Sequence, residues 1–147
     1  NDLKISSKRI LDYKGVGDLN LSYTILLTGL PQGLKVGANL GLTACTGLKS
    51  LPAGLEVGGD LNLNWCYSLE SLPDELTVSG DLSLYGCTGL MSLPQGLIVG
   101  GDLFLNGCSS LTSLPAGLVV DGDLNLFGCE GLGELPQDLK VGGRIYR

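Results

Sequence analysis

A chain of 147 residues is long enough for one domain, but one tryptophan, two phenylalanines and 24 glycines are a poor recipe for an ordinary globular core. The formal charge of −6 is unevenly spread: between Leu51 and Leu139 there are twelve acids and no Lys or Arg. Phosphate recognition needs clustered cations, so neither nucleic acid nor an anionic membrane surface is an expected partner. No run of eighteen apolar residues exists, so no membrane insertion is expected either.

The first fifteen residues, with Ile5, Ile10 and Leu11 set among charges, read as an N-terminal cap over 1–15. The opening Asn1 is expected to mark a fragment or a processed product. From residue 16 to 147 the chain is a repeat. All six prolines (Pro31, Pro52, Pro73, Pro94, Pro115 and Pro136) are spaced by 21, and so are all five cysteines (Cys45, Cys66, Cys87, Cys108 and Cys129). A fixed period of this size is the mark of a solenoid, in which each unit buries its apolar face only against its neighbours. The unit starting at Leu69 reads LESLPDELTVSGDLSLYGCTG, and the general rule is LxxLPxxLxVxGDLxLxxCxx.

Within each unit the VxGDLxL stretch alternates with period two, the pattern of a strand with one buried face. Seven copies are centred near Val16, Gly37, Gly58, Ser79, Gly100, Asp121 and Gly142. A 21-residue unit has no room for a second, antiparallel strand with its turns, so successive strands are expected to stack in parallel. At about 4.8 Å per strand the sheet would run roughly 30 Å. The LxxLPxxL segment must return along the back, and its proline favours extended or 3₁₀-like turns over regular helix. The final unit stops at GGRIYR (142–147) with no polar capping segment and is expected to be incomplete.

The strings LNLNWC (Leu61–Cys66) and LSLYGC (Leu82–Cys87) resemble the leucine-rich-repeat core LxxLxLxxN/CxL, with cysteine in the N/C position. The LPxxL segment is similar to the short repeats of bacterial leucine-rich-repeat proteins, including type III-secreted effectors. The resemblance covers about Val16 to Tyr146. It implies a leucine-rich-repeat solenoid: a right-handed, β-dominated horseshoe with one parallel sheet of about seven strands on the concave face. Irregular or 3₁₀ turns would line the convex face. It also implies target recognition by an effector delivered into a host cytoplasm, with any catalytic activity, such as ubiquitin ligation, in a flanking domain.

The repeated positions have separate roles. In the unit from Leu69 the inward set is expected to be Leu69, Leu72, Leu76, Val78, Leu82, Leu84 and Cys87. The cysteines are odd in number, lack any CxxC pair and have no histidine beside them, which fits neither a metal site nor a disulfide framework. They are expected to be reduced, buried thiols donating weakly to backbone carbonyls. Gly17, Gly59, Gly80, Gly101, Gly122 and Gly143 share a column with Ala38, so the requirement there is small size. By strand parity that column is expected to point inward.

Asp18, Asp60, Asp81, Asp102 and Asp123 share the next column with Asn39 and Arg144. Carboxylates one strand apart repel by nearly 1 kcal/mol per pair in water. Either each accepts a backbone N–H where the chain enters its strand, or the column steers a basic partner. Six of the eight aromatic residues lie in three outward columns after the first strand leucine. Tyr85, Phe104 and Phe127 are expected to be diagonal neighbours there. Grouped, exposed aromatics on a sheet are typical interface anchors.

No nucleophile–base pair can be identified, so catalysis is not expected, and neither a cofactor nor a metal is. The expected function is a protein–protein interaction module that engages a partner with a basic surface on its concave face. Its expected contact residues are Trp65, Tyr85, Phe104, Asn106, Phe127, Asp81, Asp102 and Asp123. The alternative is a structural or adhesive array within a longer bacterial surface protein.

Overall fold

The structure is a computed structural model describing the backbone of residues 2–147 and side chains from Ser7 onward. It opens with an α-helix, Asp2–Asp12, with Arg9 in its last turn, where a cation suits the helix dipole. The side chain of Ile5 lies outside the described residues. Ile10 packs partly against the core, whereas Leu11 is exposed. No helix among the described residues is long and apolar enough to cross a membrane.

The rest is a β-solenoid built of thirteen two-residue strands in two parallel sheets. The leucine sheet stacks seven strands, from Leu19–Asn20 through Leu61–Asn62 and Leu82–Ser83 to Ile145–Tyr146. The valine sheet stacks six, from Lys35–Val36 through Thr77–Val78 to Lys140–Val141. Each strand pairs with its copy 21 residues away, as Leu61 with Leu82 and Val78 with Val99.

The single strand expected over VxGDLxL is therefore two strands separated by a bend, and the solenoid has two sheets where one was expected. The hydrogen bonds give the reason. In an extended strand the amides alternate between the two neighbouring strands. Here Gly100, Gly101 and Asp102 all donate backward, to Val78 O (2.9 Å), Gly80 O (2.9 Å) and Asp81 Oδ1 (2.8 Å). Leu103 then donates forward, to Asp123 O at 2.8 Å. Three successive amides aimed at one neighbour destroy the pleat and turn the chain, and the next sheet begins with the opposite polarity.

The glycine column belongs to this bend and not to the core, which corrects the inward placement. A Cβ on Gly80 would run into the Asp60 carboxylate and the backbone of Gly59, and the same clash recurs at Gly101, Gly122 and Gly143 with the preceding coil's Asp. The small-size requirement holds, but what enforces it is the adjoining coil's Asp carboxylate together with its backbone.

The core itself follows the expected register. Leu69, Leu72, Leu76, Val78, Leu82, Leu84 and Cys87 are all buried, and their copies join one continuous cluster. Each aliphatic side chain contributes about 1.5–3 kcal/mol on burial. The thiols form a ladder: Cys45, Cys66, Cys87, Cys108 and Cys129 donate to Leu21, Leu42, Leu63, Leu84 and Leu105 O at 3.0–3.2 Å. All five are free and buried, and buried Thr24 occupies the same column in the first coil.

The corners are turns, and the proline-bearing return segments contain no 3₁₀ helix among the described residues. Two corner columns hold left-handed backbone. One runs Tyr23, Ala44, Trp65, Gly86, Gly107, Gly128; the other runs Gly33, Gly54, Glu75, Gly96, Gly117. At the first coil Tyr13 ties the helix to the stack, its hydroxyl donating to Gly17 O (2.7 Å) and accepting from Gly37 N (3.0 Å). Arg9 donates to Asn20 O at 3.1 Å on the same side.

Candidate binding face

The outer face of the leucine sheet is built from the residues that alternate with the buried leucines. In chain order these are Asn20, Ser22, Gly41, Thr43, Asn62, Asn64, Ser83, Tyr85, Phe104, Asn106, Asn125 and Phe127, all uncharged. Their polar side chains are wired to one another and to the backbone. Asn62 Oδ1 accepts from Asn64 N (3.1 Å) and Thr43 Oγ1 (2.8 Å). Asn64 Oδ1 accepts from Tyr85 N (2.9 Å) and Ser83 Oγ (2.6 Å). Asn125 Oδ1 accepts from Phe127 N (3.1 Å) and Asn106 Nδ2 (2.8 Å). A backbone N–H needs an oxygen opposite it, so these bonds fix which end of each amide faces inward.

With the Tyr85 amide directed to Asn64, the Leu63 carbonyl accepts from Cys87 Sγ at 3.1 Å. Burial raises the pKa of all five thiols from an ordinary 9.0. Cys66 and Cys108 are pushed up to about 12, and Cys87 higher still. Thiols held protonated and out of solvent are poor nucleophiles and poor metal ligands. Among the described residues no group of His, Cys, Asp or Glu is arranged to hold a metal ion.

The aromatic residues divide into two sets. Trp65, Tyr67 and Tyr85 meet at one corner of the face. The Trp65 and Tyr85 rings are 4.6 Å apart between centroids at 70°, and Trp65 and Tyr67 are 6.1 Å apart at 58°. Trp65 stands in left-handed backbone (φ 62°), and its ring lies on Gly86, where an added Cβ would strike it. Gly86 is buried as a result. Phe104 and Phe127 make no ring contact among the described residues, so the expected diagonal trio with Tyr85 is not a cluster. Phe104 is half-buried between Ser83 and Asn125 of the neighbouring strands, whereas Phe127 stands free with 69% of its surface exposed. Tyr67 escaped sequence reasoning because it lies one position past the cysteine, outside the strand pattern. Its nearness to Trp65 in the chain was the available signal.

The expected acidic contacts lie off this face, along the bend. Asp18, Asn39, Asp60, Asp81, Asp102 and Asp123 each offer Oδ1 to the amide of the next residue in the column, ending at Arg144, at 2.7–2.9 Å. The backbone bonds expected of these residues are present, but each crosses to the following coil. One oxygen of each carboxylate is committed to the stack, which offsets the repulsion along the column. Asp81, Asp102 and Asp123 are half-buried.

Comparison with protein-family models, with characterised proteins and with solved structures finds no match to this chain.

Proposed function

We propose that this solenoid is a non-catalytic interaction module that takes a protein partner on the outer face of its leucine sheet. One observation carries the reading: exposed aromatic rings stand on an uncharged sheet whose polar side chains already bind one another. Such a face needs little ordering on association, and rings of this kind supply most of the energy at protein interfaces. The carboxylates along the adjoining bend favour a partner with basic residues at its rim, where they speed encounter more than they hold the complex. The similarity of the LPxxL segments to secreted bacterial effectors extends the proposal to target recognition, and that extension rests on the motif alone.

The test is capture from a lysate with the wild type, Tyr85→Ala and Phe127→Ala, beside a valine-sheet control, Ile98→Ala. Ile98 is also exposed, on the other sheet. A protein retained by the wild type and the control but lost by the leucine-sheet variants supports the face assignment. Equal loss in the control moves the interface, and equal retention in all four favours an array whose role is its length.

A further inference from the structure

We infer that Trp65, Tyr67 and Tyr85, with the amides of Asn62 and Asn64, form a docking site for an uncharged proline-rich segment in the polyproline II conformation. The inference rests on reading the leucine sheet as the binding face and names the chemistry that one corner of it recognises.

The hydrogen-bonding inventory of the corner is one-sided. The Oδ1 atoms of Asn62 and Asn64 are each committed to two donors, one of them a backbone amide. That turns both Nδ2 groups away from those partners, and neither donates to a described residue. The indole N–H of Trp65 and the hydroxyls of Tyr67 and Tyr85 likewise have no partner among the described residues. The corner therefore presents five unpartnered donor groups, with the two tyrosine hydroxyls also able to accept, and no charge on the adjoining outward strand positions. A ligand suited to it carries acceptors, few N–H groups and no charge. Tertiary amides of proline meet all three conditions, since each supplies a carbonyl and lacks an N–H.

The shape agrees. The Trp65 and Tyr85 rings meet edge to face at 4.6 Å and Tyr67 lies 6.1 Å from Trp65, so the three form one partly exposed aromatic surface. Polyproline II rises about 3.1 Å per residue with three residues per turn, so one turn is long enough to lie across two of these rings. Its pyrrolidine rings pack against aromatic faces, and its stiffness reduces the ordering cost of binding. The three rings are 41–49% exposed, open on one side and supported on the other. Trp65 is held there by its contact with Gly86 and by a left-handed backbone geometry that the three following coils give to glycine. Left-handed backbone at a bulky residue is strained and persists where the surroundings enforce it.

Trp65 is the single tryptophan of the chain, so its emission reports on this corner directly. The experiment titrates the protein with a ten-residue oligoproline and, separately, with a neutral oligosaccharide (maltoheptaose). The expected result is a saturable change in Trp65 emission with oligoproline only. Tyr85→Ala and Asn64→Asp are each expected to weaken it at least tenfold. Asn64→Asp keeps the oxygen that holds Tyr85 N and Ser83 Oγ while replacing the amide donor, so it separates recognition from folding. An unchanged affinity in Asn64→Asp overturns the proposal, as does a response to the oligosaccharide and not to oligoproline. Absence of any oligoproline response also overturns it. If leucine-sheet variants still lose a captured protein in that case, the wider functional reading stands while this inference falls.

Discussion

Raising the pH tests the thiol ladder, because the sign and size of its effect both come from the geometry. Cys66, Cys87 and Cys108 are fully buried and donate to carbonyls of the preceding coil at 3.1–3.2 Å. Burial holds Cys66 and Cys108 at about 12 against an ordinary 9.0, and Cys87 above that. A thiol is uncharged when protonated, so the folded state retains protons that the unfolded chain releases from about pH 9. The stabilisation is present in full below the unfolded value and is lost as pH climbs from there towards the folded value. Relative to neutral pH each thiol forfeits between about 1 and 2 kcal/mol by pH 10. Three together forfeit about 4 kcal/mol, a large share of the 5–15 kcal/mol typical of a domain. Tyrosines and lysines titrate in the same range, so the measurement is a difference. Urea unfolding in reducing buffer at pH 7 and pH 10 is compared between the wild type and the Cys66→Ser/Cys87→Ser/Cys108→Ser variant. Serine keeps a hydroxyl that can donate to the carbonyl and does not ionise. The wild type is expected to lose about 4 kcal/mol more than the variant; equal losses would refute the buried, protonated ladder.

Other consequences concern the bend and the face. Asp102→Asn retains the oxygen that accepts Asp123 N and should leave the melting temperature nearly unchanged, whereas Asp102→Ala should cost about 1–2 kcal/mol. Equal effects of the two would show that charge, and not the backbone bond, is what matters in that column. Gly80→Val should destabilise by about 2–3 kcal/mol in a thermal melt, because its side chain meets the Asp60 carboxylate and the Gly59 backbone. A melt unchanged by that substitution would place the column in open space. Phe127→Ala should stay within about 0.5 kcal/mol of the wild type, as befits an exposed ring. Half-buried Phe104→Ala should cost about 1–2 kcal/mol, so the two phenylalanines separate in the same melt.

Much of the architecture was legible in the chain because a solenoid repeats its evidence. A 21-residue period in proline and cysteine implies in-register parallel stacking, and the columns of Leu, Val and Cys identify the buried face. Both are consequences of local periodicity, which hydrophobic burial converts directly into packing. The thiol ladder was legible for the same reason: a cysteine in a leucine register, without a histidine or a paired cysteine, has little else to do.

The two sheets were decided elsewhere. VSGDLSL looks like one alternating strand because glycine and aspartate at its centre fit the parity by chance. Only the neighbouring coil shows that the amides of Ser79, Gly80 and Asp81 all turn back towards it, breaking the pleat. The aspartate column likewise acquires its partner 21 residues away, from an amide that no local pattern marks. The corner of Trp65, Tyr67 and Tyr85 depends on a left-handed residue and on two coils meeting, with Gly86 supplying the space beneath the indole. Periodicity assigns a residue to a column and a face. Which atoms meet across adjacent columns is set by backbone direction at the bends and corners, and that direction exists only once the coils are stacked.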